Sequence, residues 1–167
     1  MKKIKTQADI RRQAEIFTDE IYEKEFDKKE VDYDYDWENA VDRLMSGKFM
    51  WVDFEIVFYK WRHPCAYIRI PEWCNALIWV LKFDDYNNLP CPTVHWWFTY
   101  GDYMDKDNFR WFEEGWWAGW DYGHCEDYVS YWKDSPMAEK TKKWTTKEIL
   151  VDVIEQILEW HDKWFIY

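Results

Sequence analysis

The sequence contains little glycine, proline or cysteine, with five, five and four residues respectively. Glycine supplies the bare backbone that cradles phosphate groups, so its scarcity argues against a phosphate-binding loop. The cysteines form no C-x-x-C pair, which argues against a zinc ribbon or a thioredoxin-like site. G-x-S-x-G and H-E-x-x-H are also absent. The common hydrolase and metalloprotease motifs are therefore excluded.

Long apolar runs are missing as well. The first residues, MKKIKTQADIRRQ, have no apolar run after their lysines, so we expect no secretory signal peptide. Elsewhere the apolar runs are short and broken by charge, so we expect no membrane span. These features predict a cytoplasmic protein with reduced cysteines.

Basic residues are scarce between residues 84 and 134. This stretch holds eleven acidic and three basic residues, a net charge of −8 out of −11 for the whole chain. Such a field repels phosphate backbones, so direct nucleic-acid binding is not expected. The same field attracts a basic protein surface, for example one that normally holds nucleic acid.

Aromatic residues, in contrast, are abundant. They make up 22% of the chain and include fifteen tryptophans. Each ring buries roughly 150–250 Å², and a single core of this size cannot hide them all. We therefore expect exposed rings that mark a partner, ligand or oligomer interface. The chain length of 167 residues predicts one domain covering residues 1–167.

Apolar periodicity predicts helices at both ends of the chain. Thr6 can cap a first helix, whose apolar residues recur at helical spacing. A second short helix is predicted to end at residues 46–47, so residues 1–47 are expected to be helical. Its apolar face would hold Trp37, Val41, Leu44 and Met45. Near the other end, Thr145 and Glu148 match a capping box. The apolar stripe that follows predicts a long helix over residues 145–165.

The middle of the chain, residues 48–130, is rich in β-branched and aromatic residues and predicts strands. The predicted strands are 49–61, 65–70, 76–83, 93–100, 109–112 and 115–120, with an acidic turn at 101–107. Connections this short favour antiparallel pairing. The predicted fold is therefore α+β, with a mostly antiparallel sheet of about five to six strands packed by N-terminal helices and a long C-terminal helix.

One candidate site is the run Asp121-x-x-His124-x-x-Asp127, just after the last predicted strand. His95, at the start of the fourth predicted strand, could add a fourth group. Imidazole and carboxylate ligands suit zinc, manganese or iron(II), so a divalent metal is the candidate cofactor. This spacing is not a specific metal signature. In the alternative interpretation the aspartates cap turns and His124 bonds a carbonyl or carboxylate group.

A second candidate site is an acidic, aromatic binding surface. Its predicted members are Trp96, Trp97, Asp102, Asp105, Asp107, Trp111, Glu113, Glu114, Trp116, Trp117 and Trp120. Adjacent tryptophans on a strand point to opposite faces, so one of each pair can face outward. Outward rings can grip guanidinium groups, and the carboxylates can imitate phosphates. The alternatives are that the rings fill the core and that the charges serve solubility.

Several runs of the sequence resemble one known family. They are CAYIRIPE at 65–72, VH at 94–95, TYG at 99–101 and GWWAGWDYGHCED at 115–127. They resemble a family of small phage-encoded and prophage-encoded proteins of unassigned function. Its members carry C-G-Y-V-x-V-P-x-G-H, V-H-G-G-(L/I)-T-(Y/F) and G-W-W-x-G-(F/W)-D-x-x-H-x-x-D, followed by a closing helix.

The resemblance covers residues 65–165 and departs from the family in two places. Trp96 and Trp97 replace the two glycines, and Trp73-Cys74 stands where Gly-His is usual. The resemblance implies a phage setting and no particular reaction. It maps the family's His, Asp, His and Asp positions onto His95, Asp121, His124 and Asp127.

Three functional hypotheses follow. The leading one is a phage-encoded, non-enzymatic inhibitor, anti-CRISPR-like, of a host nucleic-acid-handling defence protein. It would act in the cytoplasm of an infected bacterium, through the acidic, tryptophan-rich surface. The alternative is a small metal-dependent enzyme or nucleotide-ligand sponge that uses His95, Asp121, His124 and Asp127. The third is an interaction module that forms a homo-oligomer through its surplus tryptophans.

Overall fold

The computed structural model describes residues 5–24, 27–33, 42–59, 63–90, 92–105, 112–130 and 133–163. The helices are α1 (Gln7–Lys24), α2 (Asn75–Phe83) and α3 (Thr146–Asp162). The strands are β1 (Asp42–Phe49), β2 (Val52–Tyr59), β3 (His63–Ile70), β4 (Tyr100–Met104) and β5 (Gly115–Asp121). Short 3₁₀ turns lie at Tyr86–Asn88 and Ala138–Lys140. The predicted α+β architecture, with helices towards both ends of the chain, is confirmed.

The five strands form one antiparallel sheet in the order β1-β2-β3-β5-β4. β1, β2 and β3 follow one another as neighbours, and β3 then pairs with β5 from Cys65↔Asp121 to Ile70↔Trp116. β4 pairs only with β5 and forms one edge of the sheet. This order places the residues that follow β5 beside the beginning of β3.

The pleat of β5 separates two groups of side chains, since successive residues point to opposite faces. Ala118 and Trp120 belong to the main core, together with the buried faces of the helices. Trp117 points to the other face and packs with Met104 and Phe112 in a smaller cluster. Trp117 and Trp120 are each 1% exposed. Trp116 packs against the main core and its neighbour Trp117 belongs to the smaller cluster, so these adjacent tryptophans point to opposite faces, as predicted.

Helix α3 lies between the sheet and α1, and Thr146 and every residue from Ile149 to Trp160 are buried. Its first turn forms the predicted capping box, in which the Thr145 hydroxyl accepts from the Glu148 amide at 3.2 Å. The Glu148 carboxylate in turn accepts from the Thr145 amide at 2.9 Å. At the start of α1, Thr6 accepts from the Asp9 amide at 3.2 Å. Both predicted helix starts are confirmed.

The predicted second helix near residue 47 is wrong over the described residues, because residues 42–49 form strand β1. Leu44 and Met45 are adjacent and both buried. The ladder with β2 shifts register between Arg43 and Met45, so a bulge places both side chains inward. In the sequence, two adjacent apolar residues fit the apolar face of a helix better than the alternating pattern of a strand. Trp37 and Val41 lie outside the described residues.

The predicted strand at 76–83 is also wrong, because this run forms helix α2. Leu77 and Leu81 are its buried residues, four positions apart. A short apolar run fits a buried strand and a buried helix equally well. Here the outward residues Trp79 and Phe83 are also large and apolar, with 58% and 65% exposure, so they hide the helical period.

The predicted strand at 93–100 and the predicted turn at 101–107 are exchanged in the structure. Residues 93–99 are irregular, and strand β4 begins at Tyr100. The left-handed φ of Trp96, +62°, is incompatible with an extended strand. Residues 106–111, which include most of the predicted strand at 109–112, lie outside the described residues. Within the described part of the chain, no helix has the length and apolar character needed to cross a bilayer.

Candidate metal centre

Two histidines and one aspartate meet at the end of β5. His95 comes from the irregular loop before β4, whereas His124 and Asp127 lie in the turn that follows β5. The Asp127 amide donates to the His124 carbonyl at 2.9 Å, which closes this turn. One potential ligand atom from each of the three side chains lies within 4.8 Å of the others. The structure thus brings together three of the four residues predicted as ligands.

The distances within this His-His-Asp cluster suit a shared ion. His95 Nε2 lies 2.8 Å from Asp127 Oδ2, and His124 Nδ1 lies 3.5 Å from the same oxygen. Two ligand atoms bound at roughly 2.1 Å lie about 3.0 Å apart at a right angle and about 3.4 Å apart at the tetrahedral angle. These two distances fit ligands of one transition-metal ion, and the shorter one is also that of the His95–Asp127 hydrogen bond.

Asp127 is held in place by several donors. Its Oδ1 accepts from Trp144 Nε1 at 2.8 Å, and its Oδ2 accepts from the His124 amide at 3.0 Å. Its side chain is 1% exposed. Burial favours the neutral acid, but the hydrogen bonds from His95, Trp144 and His124 outweigh it and lower the pKa of Asp127. The carboxylate is therefore charged and fixed, as a metal ligand requires.

The imidazole of His124 has an unsatisfied nitrogen. Its Nδ1 is buried and has no hydrogen-bond partner among the described residues. This nitrogen faces Asp127 Oδ2 at 3.5 Å and Asp121 Oδ1 at 3.9 Å, both beyond a normal hydrogen bond. A buried nitrogen between two carboxylates is a place where a cation would satisfy all three groups.

Aromatic rings fix the orientation of His95. Its ring stacks on Tyr122 with centroids 4.9 Å apart and planes at 9°, and Trp144 packs against it at 4.7 Å. The hydroxyl of Tyr122 donates to Asp152 on α3 at 2.8 Å. The sequence interpretation missed Tyr122 and Trp144. The available signal was their position next to Asp121 and just before the capping box.

Asp121 is close to this cluster but faces another direction. It is the last residue of β5, and the preceding inward residue is Trp120. Successive strand residues point to opposite faces, so the Asp121 side chain points to the outer face. Its Oδ1 accepts from the Gly123 amide at 3.0 Å. Asp121 therefore lies beside the cluster and contacts it only through His124 Nδ1.

Trp96 covers the His124 ring from a strained turn. Its φ is +62°, and the Trp97 amide donates to the His95 carbonyl at 2.8 Å across it. A hydrogen bond between residues i and i+2 around a positive φ defines the less common, strained form of γ-turn. The turn lays the Trp96 ring parallel to His124, with centroids 5.3 Å apart and planes at 13°.

A pocket of about 400 Å³ opens next to this cluster. His124 and Asp127 form part of its wall, and the remainder is mainly apolar. The exposed residues Cys125 and Met137 lie on its solvent side. Its volume falls in the range typical of small-molecule sites, roughly 300–1,000 Å³.

The predicted acidic, aromatic surface is divided in the structure. Trp96 and Trp97 are 54% and 44% exposed and lie at the His95 end of β5. Four exposed acids lie near its other end: Asp102, Asp105, Glu113 and Glu114. Trp116 is partly buried, whereas Trp117 and Trp120 are core residues, so their assignment to the surface is wrong. Asp107 and Trp111 lie outside the described residues.

The chain matches no protein-family model, and comparisons with curated proteins and with solved structures found no match. The resemblance to phage-encoded proteins therefore stays a prediction.

Proposed function

We propose that the protein binds a divalent transition-metal ion through His95, His124 and Asp127, and that this ion is the centre of its activity. The observation that carries the proposal is the meeting of three ligand atoms within 4.8 Å. Two imidazoles and one carboxylate form the ligand set of many zinc and iron(II) sites that leave positions open for a substrate. The adjoining pocket supplies space for one.

The surroundings of this cluster favour a cation as well. Asp121 and Asp127 both face His124 Nδ1. Trp144 donates to the Asp127 oxygen that lies away from the histidines, a contact of the kind that orients a ligating carboxylate. The metal would replace the hydrogen bond between His95 Nε2 and Asp127 Oδ2 by a bond to each of these two atoms.

The test is elemental analysis of the purified, untagged protein, followed by zinc titration of the metal-free protein. We expect about one metal ion per chain and a rise in thermal stability with zinc.

His95→Ala, His124→Ala and Asp127→Asn should each weaken zinc binding by about 100-fold or more, and Trp144→Phe by about tenfold. The control is His161→Ala, at an exposed position near the end of α3. A wild-type protein that is not stabilised by zinc, manganese or iron(II) would overturn the proposal.

A second candidate function is non-enzymatic inhibition of a basic host protein that handles nucleic acid, in the cytoplasm of an infected bacterium. The observation in its favour is Trp97, which is 44% exposed yet fixed by a hydrogen bond from its Nε1 to the Asn87 carbonyl at 3.0 Å. Rigid exposed tryptophans are frequent anchors of protein interfaces. The exposed acids of β4 and the residues before β5 complement a basic partner.

Capture from lysate of a defence-bearing host tests this second candidate. We expect Trp97→Ala to release a basic nucleic-acid-binding protein that the wild type retains, since anchor residues dominate interface energies. Trp79→Ala is the matched control, because Trp79 is 58% exposed on α2. Equal capture by both variants, or capture of no basic protein, would count against it.

A further inference from the structure

The pocket next to the His-His-Asp cluster points to a class of ligand. We propose that it binds a small, uncharged molecule with an apolar body and one metal-binding head group. This inference rests on the proposed metal site and adds the identity of the ligand class. It draws on the pocket's lining, on the charge around it and on its position relative to His124.

The residues that line the pocket indicate the size and polarity of the ligand's body. The pocket has a volume of about 400 Å³ and is mainly apolar. It is lined by Gly123, His124, Cys125, Asp127, Tyr128, Val129, Ser135, Met137, Ala138 and Thr141. A cavity of this size and character holds an aromatic ring or a short aliphatic chain, with a few polar contacts that set its orientation.

The protein charges around the pocket disfavour an anionic ligand. Among the described residues that line it there is no lysine or arginine. Lys142 follows the lining residue Thr141, but its ammonium group lies 3.5 Å from the Trp144 ring centroid and 3.1 Å from Glu148. Asp127 in the lining and Glu126 next to it in the chain add negative charge. Phosphate and sulfate groups would meet no basic side chain in this lining and would be attracted by the metal ion alone, which argues against a nucleotide.

The position of the cluster determines the head group. His124 and Asp127 belong both to the pocket wall and to the ligand set. Three protein ligands leave at least one coordination position open. A ligand whose body fills the pocket lies beside His124 and Asp127, so we place its head group on the open position of the metal, which oxygen or nitrogen donors suit.

Three probes applied to the zinc-loaded full chain separate these features. Benzohydroxamic acid has a phenyl body and a chelating head that is uncharged in neutral solution and binds zinc as the hydroxamate, with loss of one proton to the solvent. Acetohydroxamic acid keeps the head and lacks the ring, whereas phenyl phosphate keeps the ring on an anionic head. We expect benzohydroxamic acid to bind about tenfold more tightly than each of the others in calorimetric titration, since the ring is buried and the phosphate meets no basic side chain in the lining.

Two substitutions test the location of the ligand. Ala138→Phe should fill the pocket and remove the preference for benzohydroxamic acid without changing the zinc affinity, whereas Ala76→Phe, at an exposed position on α2, should leave it. Met137→Lys introduces a cation at an exposed position, 58% accessible, and should strengthen phenyl phosphate binding relative to benzohydroxamic acid. This second variant keeps the test valid if Ala138→Phe does not fold.

The outcomes separate the two proposals. A protein that binds zinc but shows no preference among the probes overturns the ligand class and leaves the metal proposal standing. The proposed location in the pocket is overturned if Ala138→Phe does not change the preference for benzohydroxamic acid and Met137→Lys does not change phenyl phosphate binding. Failure to bind zinc in the first titration overturns the metal proposal and the ligand class that rests on it.

Discussion

At the scale of single residues, Trp96 combines an unfavourable backbone with a favourable ring contact. A residue with a Cβ in the left-handed region costs roughly 1–2 kcal/mol, and Trp96 has a φ of +62°. Its ring is 54% exposed, so burial offsets little of this cost. Backbone strain of this kind concentrates at functional sites. We infer that the strained turn persists because it positions His95 on one side and covers His124 on the other.

A pair of substitutions separates the turn from the ring. Trp96→Gly and Trp96→Ala both remove the stacking on His124, so both should weaken zinc binding to a similar extent. Only glycine relieves the strain of the positive φ. The free energy of unfolding of the glycine variant should therefore be about 1 kcal/mol higher than that of the alanine variant. Urea denaturation and zinc titration provide the two measurements.

Trp51 offers the matched control for this pair. It has a φ of +69° and is 77% exposed, in the turn between β1 and β2. Trp51→Gly should exceed Trp51→Ala in stability by a similar margin, with no change in zinc binding. Wild-type zinc affinity in both Trp96 variants would show that the covering ring has no part in the site.

The residues of the cluster differ in how far the sequence predicts them. His95, His124 and Asp127 were predicted because their side chains are metal-ligand types close to predicted strand ends. Tyr122 and Trp144 were missed, since their contacts with His95 depend on the pleat of β5 and on the path of the chain back to α3. Their positions in the sequence place them near the site, but the sequence does not show which way their rings point.

At the scale of elements, a polar seam joins α1 to α3. Arg11 Nη1 lies 2.5 Å from Asp152 Oδ1 and 2.6 Å from Glu155 Oε2, and Gln7 donates to the other oxygen of Glu155 at 2.6 Å. Burial raises the pKa of Asp152, and the contacts with Arg11 and Tyr122 oppose that shift. The seam connects α1 to the metal centre, because Asp152 accepts from the Tyr122 hydroxyl beneath His95.

Removal of the cation from this seam should be costly. Arg11→Met should lower the free energy of unfolding by about 2 kcal/mol, since it leaves two buried carboxylates without their counter-charge. Adding Asp152→Asn and Glu155→Gln removes both charges and should recover most of that loss. Chemical denaturation measures each step, and exposed Arg12→Met on the same helix should change the value by less than about 0.5 kcal/mol. If the triple variant is no more stable than Arg11→Met, the charges are not the cause.

The helices and strands that could be predicted are those whose conformation is indicated by neighbouring residues in the sequence. The capping residues Thr145 and Glu148 and the single apolar stripe that follows them predict α3 from local chemistry. Strands β3 and β5 likewise match their β-branched and aromatic runs. Helix α2 and strand β1 were assigned wrongly because exposed Trp79 and Phe83 and a bulge at residues 43–45 disguise the periodicity. Their conformation is decided by tertiary packing, which overrides local propensity.

At the scale of the whole molecule, the sheet separates two ionic environments. The His-His-Asp cluster contacts the face covered by the helices, through Tyr122 in the main core. Glu55 lies on the opposite face, since its neighbours Phe54 and Ile56 point into that core. Glu55 is 6% exposed and pairs with Arg43 at 2.7 Å. Burial raises the pKa of Glu55 to about 7, assisted by Asp53 and Glu113 and opposed by Arg43.

This separation predicts a pH dependence of stability that is independent of metal binding. The pKa of Glu55 rises from 4.5 to about 7 on folding, so its contribution to stability is present below pH 4.5 and is lost as the pH rises through 7. Between pH 5 and pH 8 the wild type should therefore lose about 2 kcal/mol of stability relative to Glu55→Gln, which cannot ionise.

Exposed Glu139→Gln should follow the wild type. Urea denaturation at each pH gives the comparison, and the zinc affinity of Glu55→Gln should equal that of the wild type. Parallel stability profiles for the wild type and Glu55→Gln would show that Glu55 ionises freely in the folded protein.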